Sequence, residues 1–138
     1  MAITEANPRP IFQNKPSVQA AIITDVETTI PVTLYTSSSS EGGLIDSISV
    51  VSTDTVDQIV QLTLTDNSGT DYAIGEAIVP ALSGSDGVVV AFNLLSKELV
   101  LQADGGRTVP PNGILKVNAK TTITVAASLT FVANGGDY

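Results

Sequence analysis

The stretch that decides the fold runs from residue 43 to residue 80 and reads GLIDSISVVSTDTVDQIVQLTLTDNSGTDYAIGEAIVP. In its centre, Val60, Leu62 and Leu64 alternate with polar residues. A period of two places the apolar side chains on one face of a β-strand and the polar ones on the other. This run therefore predicts a strand with one buried face.

Turn-forming residues flank that central strand on both sides. Residues 53–55 (TDT) and 66–69 (DNSG) separate it from its neighbours, and both are typical of turns. After the second turn, Tyr72, Ile74 and Ile78 repeat the apolar pattern. The stretch predicts a three-stranded meander with one apolar face, which a second layer must cover.

Further strands are predicted on both sides of the meander. Residues 18–24 form a first strand, and residues 29–36 form a second, which Pro31 makes an edge or bulged strand. Residues 88–93 (VVVAFN) predict a short buried strand. Residues 94–99 break the strand rhythm, and they are the stretch that favours a helical turn, with Asn93 as its N-cap.

The C-terminal part alternates over a longer distance. Leu115, Val117 and Ala119 are followed by a turn and then by alternating apolar residues from Ile123 to Phe131. This pattern predicts two paired antiparallel strands. About eight short strands result, so we expect an all-β, antiparallel two-sheet sandwich that is jelly-roll-like; a different Greek-key sandwich or a small barrel remains an alternative.

The N-terminal residues 1–16 predict an extended arm ahead of a single sandwich domain at residues 17–138, because dense prolines prevent a helix and disrupt a sheet. A frayed terminus is the alternative. An arm that orders on a neighbouring subunit is favoured by its two large apolar residues. The interface residues that we predict are Pro8, Pro10, Ile11, Phe12 and Pro16.

The composition argues against several classes of function. The chain has no histidine and no cysteine, which removes the commonest general base, the commonest metal ligands and thiol nucleophiles. Its net charge of −8 repels phosphate backbones and anionic lipid, so we expect no nucleic-acid and no membrane partner. No secretory signal is present at the start. We therefore expect a protein that is made in a cytoplasm and is not secreted.

No group of residues predicts a catalytic, cofactor or metal site. Residues 66–71 (DNSGTD) cluster oxygen ligands, but they lack the closing glutamate of a calcium loop, and a hairpin turn explains them better. The carboxylates of Asp71 and Glu76 have the character of solvated residues rather than of a glycosidase pair. No serine lies in a G-x-S-x-G motif. The sequence thus predicts a protein without catalysis, cofactor or metal.

Three segments together resemble a known group of proteins. They are IFQNKPS at residues 11–17, GLIDSISVVSTDT at residues 43–55, and VPPNGILKVNAKTTITVAASLTFVANGGDY at residues 109–138. The chain resembles the small all-β virion proteins of tailed bacteriophages that decorate or cement capsids. The group has no invariant ligand motif, so the resemblance assigns no functional residue.

The resemblance implies a structural protein on the capsid surface of the virion. Its partner would be the major capsid protein, and it would act as a homotrimer. The alternative is a tail, collar or fibre component that binds a receptor or a protein, with Tyr35, Tyr72 and Tyr138 as stacking candidates for a sugar. A small carboxylate-based hydrolase is a third alternative, which the lack of a nucleophile with its base disfavours.

Overall fold

The computed structural model describes residues 15–37, 42–94 and 107–137. These residues form antiparallel β-strands and contain no α-helix. No helix in these three ranges has the length and hydropathy of a membrane span. The strands are β1 (Lys15–Thr24), β2 (Val32–Thr36), β3 (Gly43–Ser52), β4 (Gln58–Thr65), β5 (Asp71–Val79), β6 (Phe92–Asn93), β7 (Arg107–Val109), β8 (Ile114–Ala119) and β9 (Ser128–Asp137).

The strands form two sheets. The five-stranded sheet has the order β1-β9-β3-β6, with β7 also paired to β3, and the four-stranded sheet has the order β2-β8-β4-β5. Three antiparallel pairs enclose one another along the chain: β1 pairs with β9, β2 with β8, and β4 with β5. The short strands β6 and β7 pair with opposite ends of β3. Counting β6 and β7 as one interrupted edge strand gives eight strands in jelly-roll order. The prediction of an all-β, jelly-roll-like sandwich is confirmed.

An aliphatic core fills the space between the sheets. Val60 and Leu62 of β4 are buried, as predicted, and Leu64 packs against the core. The largest fully buried side chains are Tyr35 and Phe131. Because both sheets direct alternate residues inward, the core is continuous from one end of the sandwich to the other.

Two predicted strand pairings are wrong. Strand β3 does not extend the β4–β5 hairpin, because it lies in the other sheet. The predicted C-terminal hairpin also fails, since β8 pairs with β2 and β4 while β9 pairs with β1 and β3. In both places the connecting loop crosses between the sheets. Local alternation defines a strand, but it does not show which sheet the strand joins.

The set of β5 side chains that are buried also differs from the prediction. Tyr72 and Ile78 are exposed, whereas Ala77 and Val79 are buried. An irregularity in the β4–β5 register, between Leu62 and Thr63, shifts the alternation along β5. Such a bulge adds one residue to one strand and changes which side chains face the core.

Other predictions concern the edges of the fold. β2 is an edge strand that begins after Pro31, and its pairing is bulged between Thr33 and Tyr35, as predicted. The predicted helical turn lies outside the described residues beyond Leu94, which is buried in the core. β1 begins at Lys15, and the preceding residues of the predicted arm lie outside the described ranges.

Candidate functional site

Four loops meet at one end of the sandwich, and each of them crosses from one sheet to the other. We call this region the loop end. It consists of residues 25–31, 53–57, 80–91 and 120–127. Loops carry a large share of binding residues when a rigid scaffold positions them.

The buried side chain of Asp54 ties these loops together. Its Oδ1 accepts hydrogen bonds from the Val56 N–H at 3.0 Å and the Thr124 hydroxyl at 2.7 Å. Its Oδ2 accepts from Gln58 Nε2 at 2.8 Å and the Thr124 N–H at 3.0 Å. The Asp54 carbonyl accepts from the Leu82 N–H at 2.9 Å. One residue thereby joins three of the four loops.

The electrostatics of Asp54 follow from this geometry. Burial, the largest single influence, raises the pKa of the carboxyl, but hydrogen bonds from Thr124, Val56 and Gln58 together outweigh it and leave the pKa lowered. A carboxylate stabilised by several donors stays ionised at neutral pH. Asp54 is therefore an ionised structural acceptor whose oxygens are occupied by the protein's own donors.

The fourth loop is attached through Thr28. The Thr28 hydroxyl donates to the Thr121 carbonyl at 3.3 Å, and it accepts from the Ile123 N–H at 3.3 Å. The Ala119 N–H donates to the Thr28 carbonyl at 3.2 Å. Hydrogen bonds thus connect loop 25–31 to loop 120–127, so all four loops of the loop end are linked to one another.

Exposed apolar side chains stand on every one of these braced loops. Their exposed fractions range from 56% to 83%, although an aliphatic side chain is usually among the most buried. They are Val26, Ile30, Val56, Val88, Val90 and Val125. We call them the apolar tips. Single exposed apolar residues are ordinary, but six of them at one end of the sandwich make this end the candidate contact surface.

Residues 88–93 were predicted to be a short buried strand, and this prediction is wrong for residues 88–91. Asp86 accepts hydrogen bonds from the N–H groups of Val88 at 2.8 Å and Val89 at 2.9 Å. The Val89 bond is the largest of the contacts that lower the pKa of Asp86. Gly84 and Gly87 adopt positive φ angles of 72° and 79°. This turn holds the backbone outside the sheet, so only Phe92 and Asn93 pair with β3.

Backbone strain is concentrated in the same loops. Thr28, Leu82 and Ala126 have positive φ angles of 42°, 59° and 68°. Side chains other than glycine rarely adopt this conformation, and a β-branched residue such as threonine disfavours it further. Such strain persists only where surrounding contacts impose it, and it is common at functional sites.

The charges of the loop end are mostly negative. Asp25, Glu27, Asp57 and Asp86 lie in its loops together with the buried Asp54, whereas Lys120 is its one cation. The Thr24 hydroxyl and N–H bind Glu27 and lower its pKa. The loop end is therefore apolar at its tips and acidic around them, which suits a partner surface with apolar hollows and basic neighbours.

The loop at residues 66–71 is a hairpin turn, as expected. Asp66 Oδ1 accepts from the N–H groups of Ser68 at 2.9 Å and Thr70 at 3.0 Å, and the Thr70 bond is the largest cause of its lowered pKa. Among the described residues, no group of three or more acidic side chains could hold a metal ion.

The two carboxylates considered for glycosidase chemistry lie on the outer face of the four-stranded sheet. Asp71 lies 3.9 Å from Lys116 Nζ, and Glu76 lies 2.7 Å from Lys120 Nζ. Both therefore have cationic neighbours, and neither lies at the loop end.

One of the five predicted interface residues lies in the described part of the chain. Pro8, Pro10, Ile11 and Phe12 lie outside the described residues. Pro16 is the second residue of β1, is exposed, and pairs with Gly136.

Two of the three tyrosines predicted as stacking residues lie in the described part of the chain, and these two do not share a surface. Tyr35 is completely buried in the core, so its prediction as a stacking residue is wrong. Tyr72 is exposed on β5, and Tyr138 lies outside the described residues.

The apolar tips were missed by sequence reasoning, yet a signal was present. Val26, Val56 and Val125 are single apolar residues inside Thr- and Asp-rich turns, where a solvated side chain is expected.

No family model matches the chain, and no curated protein matches it. Function is therefore inferred from the loop end and its scaffold.

Proposed function

We propose that this protein is a structural component of a phage virion that binds the outside of the capsid through its loop end. The observation that carries the proposal is the set of apolar tips, which are exposed on loops that Asp54 and Thr28 brace rigidly. The resemblance of the sequence to capsid decoration proteins supplies the setting, with the major capsid protein as partner.

Rigidity makes the loop end suited to binding rather than to chemistry. A preorganised surface loses little conformational entropy when it docks, so more of the contact energy appears as affinity. Among the described carboxylates, that of Asp54 accepts the most hydrogen bonds, and all of its donors belong to the same chain. It positions loops and leaves no lone pair directed at a substrate.

The scaffold fits this role. Jelly rolls build viral capsid domains, lectins and cupins alike, so the fold supports the proposal without identifying it. The loop end adds apolar tips and an acidic surround. A capsid surface with apolar hollows between basic side chains would complement both properties.

The proposed mechanism is clamping. A protein that binds only to the assembled shell stabilises that shell by mass action, in proportion to its affinity and concentration. Each copy would bury its apolar tips against two or more capsid subunits. Separating those subunits would then require breaking the additional contacts.

The decisive experiment is quantitative mass spectrometry of purified particles, followed by removal of the protein and measurement of shell melting. We expect a copy number comparable to that of the capsid subunits, and a lower melting temperature after stripping. Absence of the protein from particles, or an unchanged melting temperature, would overturn the proposal. A few copies per particle would instead support a tail, collar or fibre component.

A further inference from the structure

The outer edge of strand β1 is an open hydrogen-bonding edge. β1 pairs with β9 along its full length from Lys15 to Thr24, and no described strand pairs with its other side. At the end of β1 the Thr24 N–H binds Glu27 and the Thr24 C=O binds Thr28, but from Val18 to Ile22 the strand presents a row of unpaired N–H and C=O groups. Residues 16–24 of this strand, PSVQAAIIT, carry no charge.

The other described sheet edges are protected by recognised devices. β2 has five residues, a bulge and Pro31 before it, and the Gln19 side chain binds both the N–H and the C=O of its Thr36. β5 carries Asp71 and Glu76 together with a register shift. β6 and β7 have two and three residues. Charges, bulges, proline and short length all discourage edge pairing, and β1 lacks them within residues 17–24.

We propose that β1 pairs antiparallel with β1 of a second copy of this chain, around a two-fold axis at Ala20. In this register Val18 of each copy lies opposite Ile22 of the other, and Ala20 lies opposite itself. Val18, Ala20 and Ile22 are all exposed on the outer face of the five-stranded sheet. Apolar pairs directly opposite each other stabilise antiparallel strands.

Charge identifies the second copy as the occupant. Two chains with a net charge of −8 repel each other, so they are expected to meet where no acid is present. Residues 16–24 meet this condition. The edge from Val18 to Ile22 is therefore self-complementary in hydrogen bonding, and it carries no acidic residue.

The register is restricted by the pleat. Side chains of one face must stay on one face of the joined sheet, so residues directly opposite each other must both be even or both be odd in number. The registers centred on Gln19 and on Ala20 each pair nine residues of β1, and the Ala20 register is the one that places the large apolar residues Val18 and Ile22 opposite each other. The result is a closed two-fold dimer, because the remaining edges are protected against further addition. It differs from the homotrimer that the sequence resemblance implies.

The outer face of the joined sheet would be continuous across the axis. Val51 and Val132 lie half-buried on the same outer face as Val18 and Ile22. Pairing at β1 brings two such faces into one surface without placing the loop ends against each other. The dimer could thus present two loop ends, and it stands independently of what those loop ends bind.

The first test uses charge at Ala20, which is exposed, so the variants are expected to fold. Light scattering of the purified wild-type chain at rising concentration should give twice its monomer mass of 14.2 kDa. Ala20→Glu and Ala20→Lys should each remain monomeric, because like charges would lie opposite each other. Mixing the two should restore the dimer. A wild-type monomer or trimer, or a mixture that stays monomeric, would overturn the proposal.

The second test uses the absence of native cysteine. Ala20→Cys places one thiol at the two-fold axis, where opposed Cα atoms are about 4.5–5.5 Å apart and within disulfide range. Mild oxidation should crosslink this variant into a dimer. Val18→Cys is the matched control, since its two thiols would lie about four residues apart and should crosslink at least tenfold more slowly. Equal crosslinking of both variants would contradict the Ala20 register.

Discussion

Asp54 and Asp66 occupy similar stretches of sequence and have different roles. Each follows a strand and precedes polar turn residues. Asp66 is half-buried and binds the N–H groups of Ser68 and Thr70 within its own turn. Asp54 is fully buried and binds Thr124, seventy positions away in the chain.

The difference shows how the two kinds of connection are built. The 66–70 turn joins neighbouring strands of one sheet, and its aspartate only has to close a tight hairpin. The 53–57 loop carries the chain from one sheet to the other, and it meets three further loops that each make such a crossing. The shared acceptor Asp54 links three of these loops at their meeting point, and Thr28 attaches the fourth. The apolar tips are exposed only on the loops that are fixed in this way.

The largest expected effect is the loss of the Asp54 carboxylate. Asp54→Ala removes the acceptor of four hydrogen bonds and leaves buried donors unsatisfied, so we expect the free energy of unfolding to fall by about 2–4 kcal/mol. Asp66→Ala, in an exposed turn, should lower it by about 1 kcal/mol or less. Urea unfolding of both variants measures the contrast. Equal losses would show that Asp54 is no more than a local turn residue.

The next effect is acid sensitivity, and its sign follows from the direction of the pKa shift. The folded-state pKa of Asp54 is lowered, so its stabilisation is present above the unfolded-state pKa of about 3.9 and is lost as pH falls through the lower folded-state pKa. We expect the melting temperature of the wild type to decline below about pH 4. Asp54→Ala should show a shallower decline. A variant with the same pH slope as the wild type would contradict this assignment.

The sequence predicted the β-sandwich well because burial imposes a period of two wherever a strand covers the core. Val60 and Leu62 show this, and Pro31 correctly marked an edge. The sequence-based prediction failed where the strand order, rather than the local alternation, decides whether a residue is buried. Val125 continues a perfect alternation between Ile123 and Ala127, yet it is exposed in a loop that crosses between the sheets.

The candidate site could not be predicted because it is assembled from four distant segments. Val88 and Val90 look like core residues in sequence, and only the turn at Asp86 places them outside. Tyr35 looked available for a ligand and is a core residue. Hydrogen bonds such as those between Asp54 and Thr124 depend on strand order, which alternation does not show.

A smaller effect concerns strain at the loop end. Ala126 has a positive φ of 68°, and glycine adopts this conformation without a steric penalty. Ala126→Gly should therefore raise the free energy of unfolding by about 0.5 kcal/mol, after the entropy cost of glycine is subtracted. Asn112→Gly, at a φ of 56°, is the control. Asparagine tolerates this conformation, so its change should be closer to zero. A clear loss of stability in Ala126→Gly would argue against strain.

The smallest expected change in stability comes from the apolar tips. Val88→Ser combined with Val125→Ser should alter the free energy of unfolding by about 0.5 kcal/mol or less, since both side chains are more than 80% exposed. Thermal unfolding checks this value. A larger loss would mean that the tips stabilise the fold rather than a partner contact.

Rebinding to stripped capsids tests the central claim most directly. The wild type, the double variant Val88→Ser with Val125→Ser, and Tyr72→Ser should be compared; Tyr72 is an exposed apolar residue of β5 outside the loop end. Two valines buried on docking contribute about 2 kcal/mol, so the double variant should bind about tenfold or more weakly. Tyr72→Ser should bind like the wild type. Unchanged binding of the double variant, or a loss confined to Tyr72→Ser, would contradict docking through the loop end.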